Sequence, residues 1–108
     1  MMENLKIEGF IWIESSEGLK IGKGRAMLLE YIEKSGSIAE AARQIKIPYR
    51  KAWNMIKEMN KNNSEALVIK TIGGKDGGSS ELTKEGKRLL LEYKRLSNKF
   101  IQFKKEQI

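Results

Sequence analysis

The 108-residue sequence has no cysteine, no histidine and a single proline. Without cysteine there are no disulfides, thiolate nucleophiles or cysteine-based zinc clusters, and without histidine there is no imidazole base or ligand. Carboxylates are what remains for acid–base chemistry, and they are scattered among lysines. Glu30 with Glu33, and Glu81 with Glu85, are spaced to lie close on a helix, a pattern far more often found on solvated surface. No catalytic constellation emerges, so no enzyme activity, metal or cofactor is expected. Long apolar runs are also missing, and the opening MMEN lacks the basic stretch of a signal peptide. These absences point away from the membrane and are compatible with a cytoplasmic protein.

What the chain does carry is positive charge, unevenly placed. The net charge is +7. Residues 1–40 hold five cations against seven anions, residues 41–63 six against one, and residues 64–108 ten against six. An excess of this kind calls for a polyanionic partner, and with the membrane disfavoured that partner is nucleic acid. The chain is long enough for one domain with its own core, not for two.

The segment where the charge turns positive, SIAEAARQIKIPYRKAWNMIKEM (37–59), reads as two short helices joined by a tight turn. Gly36 suits the left-handed stop of a preceding helix. Ser37 and Glu40 fit a capping box, in which each side chain satisfies the other's backbone N–H. Pro48 suits the first turn of a helix and biases Ile47 away from helical geometry, so the chain turns between Gln44 and Pro48. At about 100° per residue, Ile56, Met59 and Met55 gather around Ala52 on the inner side of the second helix. Arg50, Asn54, Lys57 and Lys61 fall opposite, at i, i+4, i+7 and i+11, with no carboxylate in the stripe. A surface tuned only for solubility normally mixes both signs. Arginine can grip guanine O6 and N7, asparagine can pair with adenine N6 and N7, and lysine neutralises phosphates. A helix, a short turn and a second helix of this composition is the helix-turn-helix arrangement of DNA-binding proteins.

The flanking segments complete the pattern. LKIEGFIWIE (5–14) alternates as a strand does, with Leu5, Ile7, Ile11 and Ile13 on one face. Phe10 and Trp12 lie on the other, fitted either to cover another element or to join a subunit interface. Residues 15–18 form a turn, and Leu19–Ile21 returns as the second strand. A first helix is predicted over roughly Arg25–Lys34. LVIKTI (67–72) is a compact apolar strand, GGKDGGSS (73–80) a hairpin tip, and the return strand leads to Thr83, which caps a long final helix. The tip fails both the P-loop and the dinucleotide patterns. Its glycines leave bare N–H groups that can approach phosphates, with Lys75 supplying charge, and the alternative is a plain turn. In the last helix Leu89, Tyr93, Leu96, Phe100 and Phe103 follow a 4-3-4-3 spacing, the seam of a coiled coil. It is read as a dimer interface, with packing within one chain as the alternative.

The segments GKGRAMLLEYI, SGSIAEAARQIKIPYRKAWNMIKEMN and LVIKTIGGKDGGSSELTKEGKRLLLEY closely resemble the N-terminal DNA-binding domain of the ModE family of molybdate-responsive transcription regulators. The resemblance covers about Gly22 to Leu96. Its wing signature, GGK-x-GG followed by Leu82, Thr83 and Gly86, is more specific than the helix-turn-helix, which many regulators share. The resemblance implies a LysR-type winged helix and a homodimer on an operator of approximate two-fold symmetry. The genes implied are those of molybdate uptake or molybdenum-enzyme assembly. It implies Tyr49, Arg50, Lys51 and Asn54 as recognition-helix residues and Lys70 and Lys75 as wing residues. Family members commonly have serine where Pro48 stands, so that hydroxyl is absent. The resemblance does not extend to the family's oxyanion-binding domains, for which this chain shows no counterpart, and molybdate sensing is not implied.

The expected architecture is therefore α+β, mainly α: a single winged helix-turn-helix domain over 1–108. Its parts are a hairpin (1–22), the helix-turn-helix (37–62), the wing (67–82) and a dimerisation helix (83–106). Arg50 and Asn54 are expected to read bases, while Lys51, Lys57, Lys61, Lys70 and Lys75 engage phosphates of double-stranded DNA. Two rivals remain open: an adaptor whose basic face docks an acidic partner, such as a separate effector-sensing subunit, and a non-specific nucleic-acid-binding protein.

Overall fold

The computed structural model describes residues 4–71 and 79–107. Four helices and two small antiparallel sheets follow in the order β1 (Ile13–Glu14), β2 (Lys20–Ile21), α1 (Lys23–Ser35), α2 (Ile38–Gln44), α3 (Tyr49–Lys61), β3 (Val68–Thr71), β4 (Ser79–Leu82) and α4 (Lys84–Glu106). This is the expected α+β arrangement, with an N-terminal hairpin and a long C-terminal helix.

The core forms where the inner faces of the helices meet. Leu28, Leu29 and Ile32 of α1, Ala41 and Ala42 of α2, and Ala52, Ile56 and Met59 of α3 are all buried. Leu67, Val68 and Leu82 close it from the β3–β4 side, and Leu90 and Tyr93 from α4. Alanines at 41, 42 and 52 let α2 and α3 approach closely, as small residues at a crossing do.

The predicted punctuation determines where the helices end. Gly36 sits at φ 71°, and its N–H donates to Ile32 O (2.8 Å), closing α1. The Ser37 hydroxyl accepts from the Glu40 N–H (3.0 Å). The reciprocal half of the capping box does not form. The Ser37 N–H donates instead to the Ser35 hydroxyl (3.2 Å), and the Glu40 carboxylate is held by Arg43 (2.8 Å) and Gln44 (2.8 Å). Pro48 is the N-cap of α3, which begins at Tyr49, one residue after the predicted start.

Two expectations need correcting. The N-terminal segment pairs over two residues only, Ile13↔Ile21 and Glu14↔Lys20, because its partner strand is that short. Gly9, at φ 153°, breaks the extended run. Ile11 and Ile13 reach the core, but Leu5 and Ile7 remain exposed. The coiled-coil seam is also divided. Tyr93 is 7% exposed and packs in its own chain's core, and Leu89 is partly buried against that core. Phe100, expected at a dimer interface, also meets its own chain. The N-terminal segment returns beside it, and Gly9, Phe10, Tyr93 and Phe100 share a groove of about 330 Å³ between that segment, α1 and α4. The exposed apolar side chains at this end are Phe10, Ile101 and Phe103.

Candidate nucleic-acid interface

The orientation of α3 is set by the turn that precedes it. Lys46 adopts φ 61°, a left-handed conformation that an L-residue enters at a cost of about 1–2 kcal/mol. The turn is held by Ile45 N–H to Ala41 O (3.1 Å), Lys46 N–H to Arg43 O (3.2 Å) and Ile47 N–H to Ala42 O (3.0 Å). With Ala52, Ile56 and Met59 anchored inward, the opposite face of α3 points away from the core. Arg50, Lys51, Asn54, Lys57 and Lys61 are all exposed, and so is Tyr49 at the start of the helix.

Charge on this face is uncompensated. Among the described residues no carboxylate lies within ion-pairing distance of Arg50, Lys51, Lys57 or Lys61. The one acidic residue of α3, Glu58, is drawn sideways by Arg25 of α1 (2.7 Å). The other paired carboxylates lie on α1, α2 and α4. A hydrogen bond from Lys94 (2.9 Å) holds the Glu30 carboxyl below the usual range against the opposing effect of burial. Arg88 (2.8 Å), and after it the Asn63 amide, does the same for Glu85, and Arg95 for Glu92. The carboxylates that do pair are thus turned to other partners, and the cations of the α3 stripe are left with no acidic partner among the described residues. Among the described residues no cluster of three or more acids is gathered that could hold a metal ion.

The wing stands beside this face. β3 and β4 pair from Val68↔Leu82 to Thr71↔Ser79, and the Ser80 N–H donates to Gly36 O (2.9 Å), tying β4 to the end of α1. Lys70 is exposed, with its Nζ 4.6 Å from the centre of the Trp53 ring. A cation over an indole face is attracted by the ring quadrupole, so the wing lysine is held at the edge of α3. Ser79 and Ser80, expected in the tip, already belong to β4, while Lys75 and the other residues of 72–78 lie outside the described residues.

Sequence reasoning missed two residues here. Trp53 carries Lys70 on its ring and donates its indole N–H to the Tyr49 hydroxyl, with the two rings 6.4 Å apart and edge-on at 82°. The signal was available in the i, i+4 spacing of Tyr49 and Trp53. Asn60, near the end of α3, donates to Val68 O (3.0 Å) and accepts from the N–H groups of Leu67 (2.8 Å) and Val68 (3.3 Å). One side chain therefore fastens the root of the wing to α3. Asn60→Ala would strand these backbone groups and is expected to cost about 2 kcal/mol. A melting point lowered by roughly 10 °C would show it in calorimetry.

No family model matches the chain. Its sequence is 37% identical over 84 residues to the molybdenum transport protein ModE of Azotobacter vinelandii, an alignment covering 78% of this chain and 31% of that protein. It is 37% identical over 92 residues to the transcriptional regulator ModE of Haemophilus influenzae, covering 85% of this chain and 35% of that one. It is 44% identical over 69 residues to the DNA-binding transcriptional dual regulator ModE of Escherichia coli K12, covering 64% and 26%. The chain is a relative of the ModE regulators. It spans about a third or less of the length of these ModE proteins. No described helix is long and apolar enough to cross a membrane.

Proposed function

We propose that this chain is the sequence-specific DNA-binding unit of a ModE-like, molybdenum-linked transcription regulator, acting in the cytoplasm as a homodimer of LysR-type winged helices. The observation that carries the reading is the open, carboxylate-free stripe of Arg50, Asn54, Lys57 and Lys61 with the wing lysine beside it. In this reading α3 enters the major groove, Arg50 and Asn54 contact base edges, Tyr49 lies at the helix entrance, and Lys51, Lys57, Lys61, Lys70 and Lys75 engage phosphates. The second copy is joined through the far half of α4, where Leu96, Phe100 and Phe103 continue past the partly buried Leu89 and the buried Tyr93. Similarity to regulators named ModE supports the link to molybdenum.

Selection from random duplexes, with and without molybdate and tungstate, identifies the preferred site. On that site Arg50→Ala is expected to cost about 1–3 kcal/mol and to relax preference at one base pair, whereas Lys57→Ala weakens cognate and scrambled duplexes alike. Equal losses for both variants on both duplexes would overturn the assignment of base reading. An adaptor would show weak, sequence-blind binding, and a non-specific binder salt-sensitive binding without a selected sequence.

A further inference from the structure

We infer that Trp53 fixes Tyr49 as a hydrogen-bond donor at the entrance of α3, so that the protein reads an acceptor atom on the duplex at that point. This rests on the proposed function and goes beyond it, adding a specificity-setting residue that does not itself contact DNA.

The reasoning starts from the phenol. A tyrosine oxygen keeps its O–H in the ring plane and accepts a hydrogen bond best on the opposite in-plane side. The Trp53 indole N–H is a donor only, and it occupies the accepting side of the Tyr49 oxygen. The hydroxyl hydrogen is therefore left on the other side as the group available to a ligand. Tyr49 is 51% exposed, one residue before Arg50, so that hydrogen faces solvent where a duplex is proposed to lie. Trp53 is itself held. It is half-buried, its ring carries the Lys70 ammonium from the wing, and the edge-on contact with Tyr49 fixes the relative orientation of the two rings. The ammonium draws on the indole π-system and strengthens its N–H as a donor. An oriented O–H suits purine N7, guanine O6, thymine O4 or a phosphate oxygen. It disfavours the amino groups of adenine and cytosine, which need an acceptor.

The test uses the whole chain on its selected duplex, with 7-deazapurines, 6-thioguanine, 4-thiothymine or methylphosphonates introduced one position at a time. The first three remove or weaken a base acceptor (N7, O6 and O4 in turn), the last removes a phosphate oxygen's charge, so the series separate the sources. Wild type is expected to lose about tenfold in affinity at one modified position. Tyr49→Phe should show that loss on the unmodified duplex and no further loss on the modified one. Trp53→Phe keeps an aromatic ring beneath Lys70 but lacks the N–H. Its melting point should stay close to wild type while sensitivity at the same position falls to about threefold or less. A variant that merely loosened the helix would lose affinity at every position equally. In the free protein, the Trp53 indole N–H resonance should shift in Tyr49→Phe. An unmoved resonance, or a Trp53→Phe profile identical to wild type, overturns this inference alone. A wild-type chain with no preferred duplex overturns it together with the functional reading.

Discussion

Raising the salt from 50 to 200 mM is expected to weaken the cognate complex about a thousandfold or more. The expectation follows from charge placement. Lys51, Lys57, Lys61 and Lys70 are exposed, and no described carboxylate neutralises the three on α3. With Lys75 and a second copy, six to ten phosphates come within reach. Each neutralised phosphate releases condensed counterions, which gives a slope of log K against log salt of about −0.9 per contact. Lys61→Gln removes one contact per copy and should flatten the slope by about two in the dimer. Because Lys61 lies at the far end of the stripe, that change should leave sequence preference intact. Fluorescence anisotropy across a salt series measures both quantities. A slope shallower than about −3 would mean that the lysines do not lie along a phosphate backbone.

The second large effect concerns the fold. Gly86→Ala should destabilise the domain by about 3 kcal/mol, through overpacking against main chain. A Cβ at Gly86 would stand 2.2 Å from Leu67 O and 3.1 Å from its carbonyl carbon. No side chain can rotate away to make room, since the obstacle is backbone. The same peptide is already engaged, because the Thr83 N–H donates to Leu67 O (2.9 Å) and the Thr83 hydroxyl to Ala66 O (2.7 Å). That hydroxyl also accepts from the Gly86 N–H (3.0 Å). Relief requires α4 to move away from β3, opening the contact of Leu90 with the core. A fall in melting point of roughly 10–20 °C is expected. A change below about 3 °C would show that the junction yields easily.

Much of the helix-turn-helix was legible because punctuation residues act locally. Gly36, Ser37 and Pro48 each impose a backbone geometry or a short-range bond, and each stands at an end of α1, α2 or α3. The exposed stripe followed from periodicity alone. The left-handed Lys46 was not legible, since a lysine carries no sign of that conformation and only the packing of α2 on α3 enforces it. The N-terminal alternation was misleading for a related reason. Period two describes an extended chain, but a strand needs a partner, and β2 offers only two residues. The division of the α4 seam could not be seen either. A 4-3-4-3 pattern does not say which of its members the same chain will cover, and Tyr93 is covered while Phe103 is not. The hold of Trp53 on Lys70 and of Asn60 on residues 67 and 68 escaped because each joins α3 to the wing, and no periodicity within one element marks a contact between two. The reason for Gly86 is of the same kind: its meaning is an approach to residue 67, invisible from its neighbours.

Leu67 is gripped from two sides, by the Asn60 amide at the foot of α3 and by Thr83 and Gly86 at the head of α4. The peptide there is a fixed joint, so the hairpin root, the foot of α3 and the head of α4 keep one relation to each other. In the proposed dimer, half-site separation on an operator would then be governed by the direction in which α4 leaves this joint, and insertions along α4, far from any base, would retune which spacer lengths are accepted.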